Sequence, residues 1–232
     1  MTEPNLPVEP AGHGESDITP TSGFAERAGM WSAGPGDTSG YGGIRRTLEM
    51  PGQSSQPFGE PFDSMFNRAV EVSPALQGSR VLFDRGELTI YVDRAELSDV
   101  VAKFRDDAFL RFEVCMSVSG VHYPEQTGAE LHVVYDLLSF THNRRVRLEV
   151  SCPESDPHIP SIVATYPMAD YHEREVWDMF GVIFDGHPSL TRILMPDDWA
   201  GHPQRKDYPL GGVDVEYKGA WVPAPDNRRS YS

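Results

Sequence analysis

Residues 145–151 alternate without a break: Val146, Leu148 and Val150 are apolar, while Arg145, Arg147 and Glu149 are charged. That is the period of a strand with one face in a core and the other toward water. Just before it, across the short turn Thr141-His-Asn-Arg144, lies the mostly apolar run Glu130–Phe140. Before that, Arg111–Tyr123 alternates around Phe112, Val114, Met116 and Val118 and stops at Pro124. A turn this short joins strands only in antiparallel fashion, so the middle of the chain is a meander.

The flanking segments carry other periods. Phe62, Phe66 and Ala69/Val70 share one face of a short helix, and Leu97, Val100, Val101 and Phe104 do the same within Arg94–Asp107. Val81–Val92 reads as a hairpin turning at Asp84-Arg-Gly-Glu87, with Gly86 at the bend. A last helix begins near Pro167 or Met168 and stops at Gly181, a natural cap. The prolines at 153, 157 and 160 bound a loop before this helix, and those at 188, 196, 203 and 209 make the stretch after it an extended arm. This order predicts an α+β fold: a mixed or antiparallel sheet with helices on one face, followed by an extended C-terminal arm.

The chain is uneven. Residues 1–60 hold 11 of the 21 glycines and 7 of the 20 prolines, with apolar residues that follow no period. They predict an extended tail in which chain entropy outweighs burial, with Trp31, Tyr41 and Phe58 as anchors for any partner that orders it. The folded domain is placed at 61–210, including a helix and arm over 167–210, and 211–232 is an irregular C-terminal tail. The net charge of −15 disfavours nucleic acid. No run of ~18–20 apolar residues is present to span a bilayer, and Met1-Thr-Glu-Pro-Asn5 lacks the basic and apolar regions of a secretory signal. The two cysteines, Cys115 and Cys152, cannot by themselves ligate an iron–sulfur cluster or structural zinc, and their apolar settings predict buried inert thiols.

The densest chemistry lies in 171–209. Tyr171-His-Glu-Arg-Glu-Val-Trp-Asp-Met-Phe-Gly181 is followed by His187-Pro188, Arg192 and Gly201-His-Pro-Gln-Arg-Lys-Asp-Tyr-Pro209. A zinc hydrolase would need a second histidine four residues after His172; Val176 stands there. His187 and His202, each between glycine and proline, fit turns better than a metal shell. Glu175 and Asp178 share a helix face as an acid–base pair would, yet Arg192, Arg205 and Lys206 supply matching cations, so a helix pinned to a returning basic arm explains them without a reaction. No Gly-rich phosphate loop and no Gly-x-Ser-x-Gly elbow is present.

The series Glu173-Arg-Glu-Val-Trp-Asp-Met-Phe-Gly181, Phe184-x-x-His187-Pro188, Arg192-Ile-Leu194 and Trp199-x-Gly-His-Pro-x-Arg-Lys-Asp-Tyr-Pro209 resembles the signature of the 30-kDa subunit family of respiratory complex I. The resemblance covers residues 62–210 and is strongest in the last forty. Thr191-Arg192 departs from it where many members carry two basic residues. The resemblance implies a non-catalytic peripheral-arm subunit of a proton-translocating NADH:quinone oxidoreductase. It would bind no cofactor itself, with FMN and iron–sulfur clusters in partner subunits. Its neighbours would be the quinone-site 49-kDa-type subunit, the terminal-cluster subunit and a ferredoxin-like subunit, on the cytoplasmic side of a bacterial cell membrane that it meets only through the complex. Glu173, Arg174, Glu175, Asp178, His187, Arg192, His202, Arg205, Lys206 and Asp207 are the residues expected to form the clamp or interface. Competing readings are the equivalent subunit of a membrane-bound hydrogenase or deazaflavin-dependent dehydrogenase, and a stand-alone metallohydrolase built on His172, Glu173, His187 and His202.

Overall fold

A computed structural model describes residues 23–28, 45–50, 52–208, 215–217 and 220–222. In chain order its elements are β1 (Gly23–Ala28), β2 (Arg45–Met50), α1 (Phe62–Val72), β3 (Val81–Asp84), β4 (Glu87–Tyr91), α2 (Leu97–Asp106), β5 (Val114–His122), β6 (Leu131–Ser139), β7 (Arg144–Cys152), β8 (His158–Pro160), α3 (Ala169–Phe180), β9 (Ile183–Asp185), β10 (Val215–Tyr217) and β11 (Ala220–Val222). The main sheet has the order β3-β4-β7-β6-β5. Its hairpins are antiparallel, and β4 lies parallel to β7, which makes the sheet mixed.

Register follows from the alternation. Leu148 stands opposite both Ile90 and Tyr135, and Tyr135 opposite Val118, so one buried row crosses four strands. The row beside it is polar. Arg147 Nε donates to Asp136 (3.0 Å), Ser117 Oγ donates to the same carboxylate (2.9 Å), and Arg147 Nη2 reaches Glu87 (2.9 Å). A shift of one residue would exchange these rows, which is why the alternation fixes the pairing. The β3–β4 turn needs two left-handed residues in succession, and Arg85 (φ 52°) and Gly86 (φ 81°) supply them.

The helices add their apolar stripes to the same core: Met65 and Ala69 from α1, Leu97, Val100, Val101 and Phe104 from α2, Ala169 and Val176 from α3. Cys115 and Cys152 are buried in it, and burial pushes their thiols up to about 12 and about 11.

Three segments differ from the sequence reading. Ser54 to Gly59 belongs to the fold: Ser54 N–H donates to the Val81 carbonyl (2.8 Å), and Phe58 packs on Phe66 and Phe83 with ring centres 5.9 Å away in each case. Phe58 therefore anchors the chain's own core, while Trp31 and Tyr41 lie outside the described residues. The proline-bounded loop contains β8, and β9 pairs parallel with it across α3. At three residues each, these strands are too short to show a period. Finally, two antiparallel hairpins, β1–β2 and β10–β11, stand in the tails where the sequence shows no pattern.

Candidate functional site: a helix and the arm that caps it

Helix α3 buries Ala169, Glu173, Val176 and Asp178, so two carboxylates enter where apolar residues would be expected. Glu173 sits in the same stripe as Ala169 and Val176. Its oxygens accept from Ser161 Oγ–H (2.6 Å) and Ile162 N–H (2.8 Å), which ties the helix to the segment after β8. Burial pushes its carboxyl up to about 7, against the opposing pull of those two hydrogen bonds.

The other end of α3 is closed by the arm. An α-helix leaves its last carbonyls without partners, and cations there oppose the negative end of the helix dipole. Here the Asp178 carbonyl accepts from His202 Nδ1 (3.0 Å), the Met179 carbonyl from Gln204 N–H (3.1 Å) and the Phe180 carbonyl from Arg205 Nε (2.6 Å). The run Gly201-His-Pro-Gln-Arg205 is thus a helix cap delivered from about twenty residues downstream. Gly181 makes room for it. It lies at φ 81°, and a Cβ there would stand 2.6 Å from His202 and 2.9 Å from Arg205. Gly181→Ala should lower stability by about 1–3 kcal/mol through backbone strain and displacement of the cap. Urea unfolding of the purified chain measures this, and an unchanged midpoint would contradict it.

Asp178 organises the middle of the arm. One oxygen accepts from the N–H groups of Ile193 (3.1 Å), Leu194 (2.8 Å) and Met195 (2.9 Å), and the other accepts from Arg192 Nη1. Burial raises this carboxyl, but the three backbone donors and Arg192 outweigh it and hold the group at about 2. Arg192 goes on to the carbonyls of Trp199 (2.7 Å) and Gly201 (3.1 Å) and lies over the Trp177 ring. Arg174 donates to the carbonyls of Thr191 and Arg192 (both 3.1 Å), closing the loop from the helix side.

Of the acid–base pairings read from the sequence, the structure brings together Asp178 and Arg192. Arg205 turns to the Phe180 carbonyl and to Glu154 (3.6 Å), not to Glu175. Glu175 and Lys206 are exposed and make no side-chain ion pair among the described residues, and Asp207 lies mostly in solvent, 3.7 Å from His122. His187 Nε2 points to the Asp170 carbonyl (3.2 Å), while its Nδ1 accepts from Ser189 N–H (3.1 Å). Glu173, His187 and His202 therefore face three different groups and do not converge as metal ligands.

The sequence reading missed a second fastening. His122, buried at the end of β5, accepts Lys206 N–H on Nδ1 (3.0 Å) and holds Nε2 2.7 Å from Glu154. His122, Glu154 and Asp207 bring their ligand atoms within 4.8 Å of one another. The hydrogen bond from Lys206 N–H to Nδ1 ties the arm to the sheet, whereas His122 Nε2 and Glu154 Oε1 approach each other outside hydrogen-bond geometry. Gly120, two residues earlier, admits the Phe180 ring so closely that a Cβ would stand 2.4 Å from it.

These features come together in a family comparison. Residues 90–214 match the family described as respiratory-chain NADH dehydrogenase, 30 Kd subunit. The chain belongs to this family. It is 59% identical to an NADH-quinone oxidoreductase subunit of Nocardioides sp. over 89% of this chain and 84% of that one. It is 55% identical to the protein of the same name from Mycobacterium bovis, with both chains fully covered. Among solved structures, a chain of the membrane-bound sulfane sulfur reductase, an archaeal respiratory membrane complex, shares the fold with a TM-score of 0.56 at 21% identity, over 65% of this chain and 87% of that one. Among the described residues no helix is long and apolar enough to cross a membrane.

Proposed function

We propose that this chain is a non-catalytic subunit of the peripheral arm of an NADH:quinone oxidoreductase, and that it supports the module passing electrons from NADH to quinone. FMN and the iron–sulfur clusters belong to partner subunits, the quinone-site subunit is the neighbour met by the arm, and the complex couples electron transfer to proton movement at the cytoplasmic side of the bacterial membrane. One observation carries the assembly role. The buried Asp178 and the half-buried Arg192 and Arg205 of the signature are bound to the arm's and helix's own backbone, so they shape a surface and do not line a reaction site. What this leaves outward is Tyr171 and Glu175 on α3, with Ile193 and Leu194 on the arm. Apolar side chains around an exposed carboxylate are the composition of a docking patch with a polar contact.

Glu175→Lys tests the reading, because it changes that surface and no ion pair among the described residues. The amount of assembled complex is expected to fall about tenfold, the equivalent of about 1.4 kcal/mol of docking energy, while each complex that forms turns over normally. Full assembly with lost turnover would refute it.

A further inference from the structure

At the end of the main sheet remote from the His122 tie, an open cleft of about 710 Å³ lies between the N-terminus of α1 and the turns β3–β4 and β6–β7. Four arginines line it: Arg85, Arg144, Arg145 and Arg147. Two carboxylates, Glu87 and Asp136, line it as well, so four positive and two negative charges leave a local excess of two positive charges in a chain of net charge −15. Arg147 is paired with both of these carboxylates, which together outweigh its charge, and Arg85 lies 3.7 Å from Asp84. Arg144 and Arg145 have no carboxylate partner among the described residues. Arg144 is stacked on Phe109 at 4.9 Å, with one guanidinium nitrogen buried and without an acceptor. Arg145 is exposed.

The rest of the lining decides the ligand class. The half-buried Phe62 and the exposed Met116 share the cleft with the arginines, and the volume far exceeds an inorganic anion. An anionic bilayer would be repelled by the chain as a whole, and two free arginines, worth about 1 kcal/mol each at such a surface, do not offset that. A short peptide offering a few carboxylates among apolar side chains meets both kinds of lining without presenting a field of negative charge. We infer that this cleft docks an acidic, partly apolar segment of a neighbouring subunit, forming a second interface separate from the α3–arm surface. The inference rests on the chain being a subunit of a larger assembly.

The test uses the assembled complex carrying p-benzoylphenylalanine in place of Met116, a cleft residue that is 39% exposed. Irradiation should join it to a segment of another subunit with several Asp or Glu side chains. Arg144→Glu combined with Arg145→Glu should lower the cross-link yield about tenfold. Arg145→Glu alone, at an exposed position outside the core, should lower it in the same direction without changing the thermal midpoint, and added salt should do so too. Cross-links to lipid, to a segment without acids, or to nothing would overturn the inference. So would a yield indifferent to charge and salt, or displacement by inorganic phosphate at constant ionic strength, which would make this an anion pocket. A chain absent from the purified complex would instead overturn the subunit reading, and this inference with it.

Discussion

Asp178→Ala should destabilise the chain by about 3–5 kcal/mol, the usual result of removing one member of a buried ion pair. The side chain is fully buried, and its loss strands Arg192, which is itself only 11% exposed. It also removes the acceptor of three consecutive backbone N–H groups, Ile193 to Met195. These part-buried donors must then be met by water, which requires the arm to leave its path. Against the total stability of a domain, about 5–15 kcal/mol, this is a large fraction. Urea unfolding of the purified chain gives the number directly, and a change below about 1 kcal/mol would contradict the role assigned to Asp178. The sign with pH is fixed by its lowered pKa: the stability it contributes is complete above its ordinary value of 3.8 and disappears as pH falls through about 2.

Glu173 will show the opposite dependence. Its carboxyl is raised from an ordinary 4.5 to about 7, because burial penalises the charge more than Ser161 and Ile162 compensate it. A group raised in the folded state binds its proton more tightly there, so stability is greatest below the unfolded pKa and declines as pH rises through the folded one. The window runs from about 4.5 to about 7, and the decline across it reaches as much as about 3 kcal/mol. Glu173→Gln keeps the shape and the acceptor for Ile162 N–H but has no proton to lose. Its unfolding free energy should be flat where the wild type falls, and by about pH 8 the variant should be the more stable of the two. Parallel pH profiles for the two chains would rule out a buried, titrating Glu173.

Much of the fold is legible in the sequence because it rests on local period. The alternation around Leu148, the Gly86 turn and the stop at Gly181 are each a single physical requirement met by adjacent residues, and each holds in the structure. Elements below the length of a period are not legible: β8 and β9 are stabilised by pairing with each other across α3. Phe58 looks like part of a featureless tail because its partners, Phe66 and Phe83, stand on separate elements.

The site is legible in composition and not in connectivity. The density of charge in 171–209 marks the right segment, but residue types alone do not say which acid meets which base. Glu173 and Glu175 look alike in sequence, yet one is buried and the other solvated. Helical spacing holds the clue: Glu173 shares its face with Ala169 and Val176, whereas Glu175 shares its face with the exposed Tyr171. The capping of Asp178, Met179 and Phe180 by His202, Gln204 and Arg205 involves backbone carbonyls, which no motif displays. The tie from Lys206 to His122 spans 84 positions and carries no sequence signal.

Whether the outward face of α3 and the arm serves assembly is answered most directly by NADH:quinone turnover divided by the amount of intact complex in the Glu175→Lys strain. An assembly role predicts less complex and an unchanged ratio. A normal amount of complex with a reduced ratio would contradict it and place this chain within the chemistry itself.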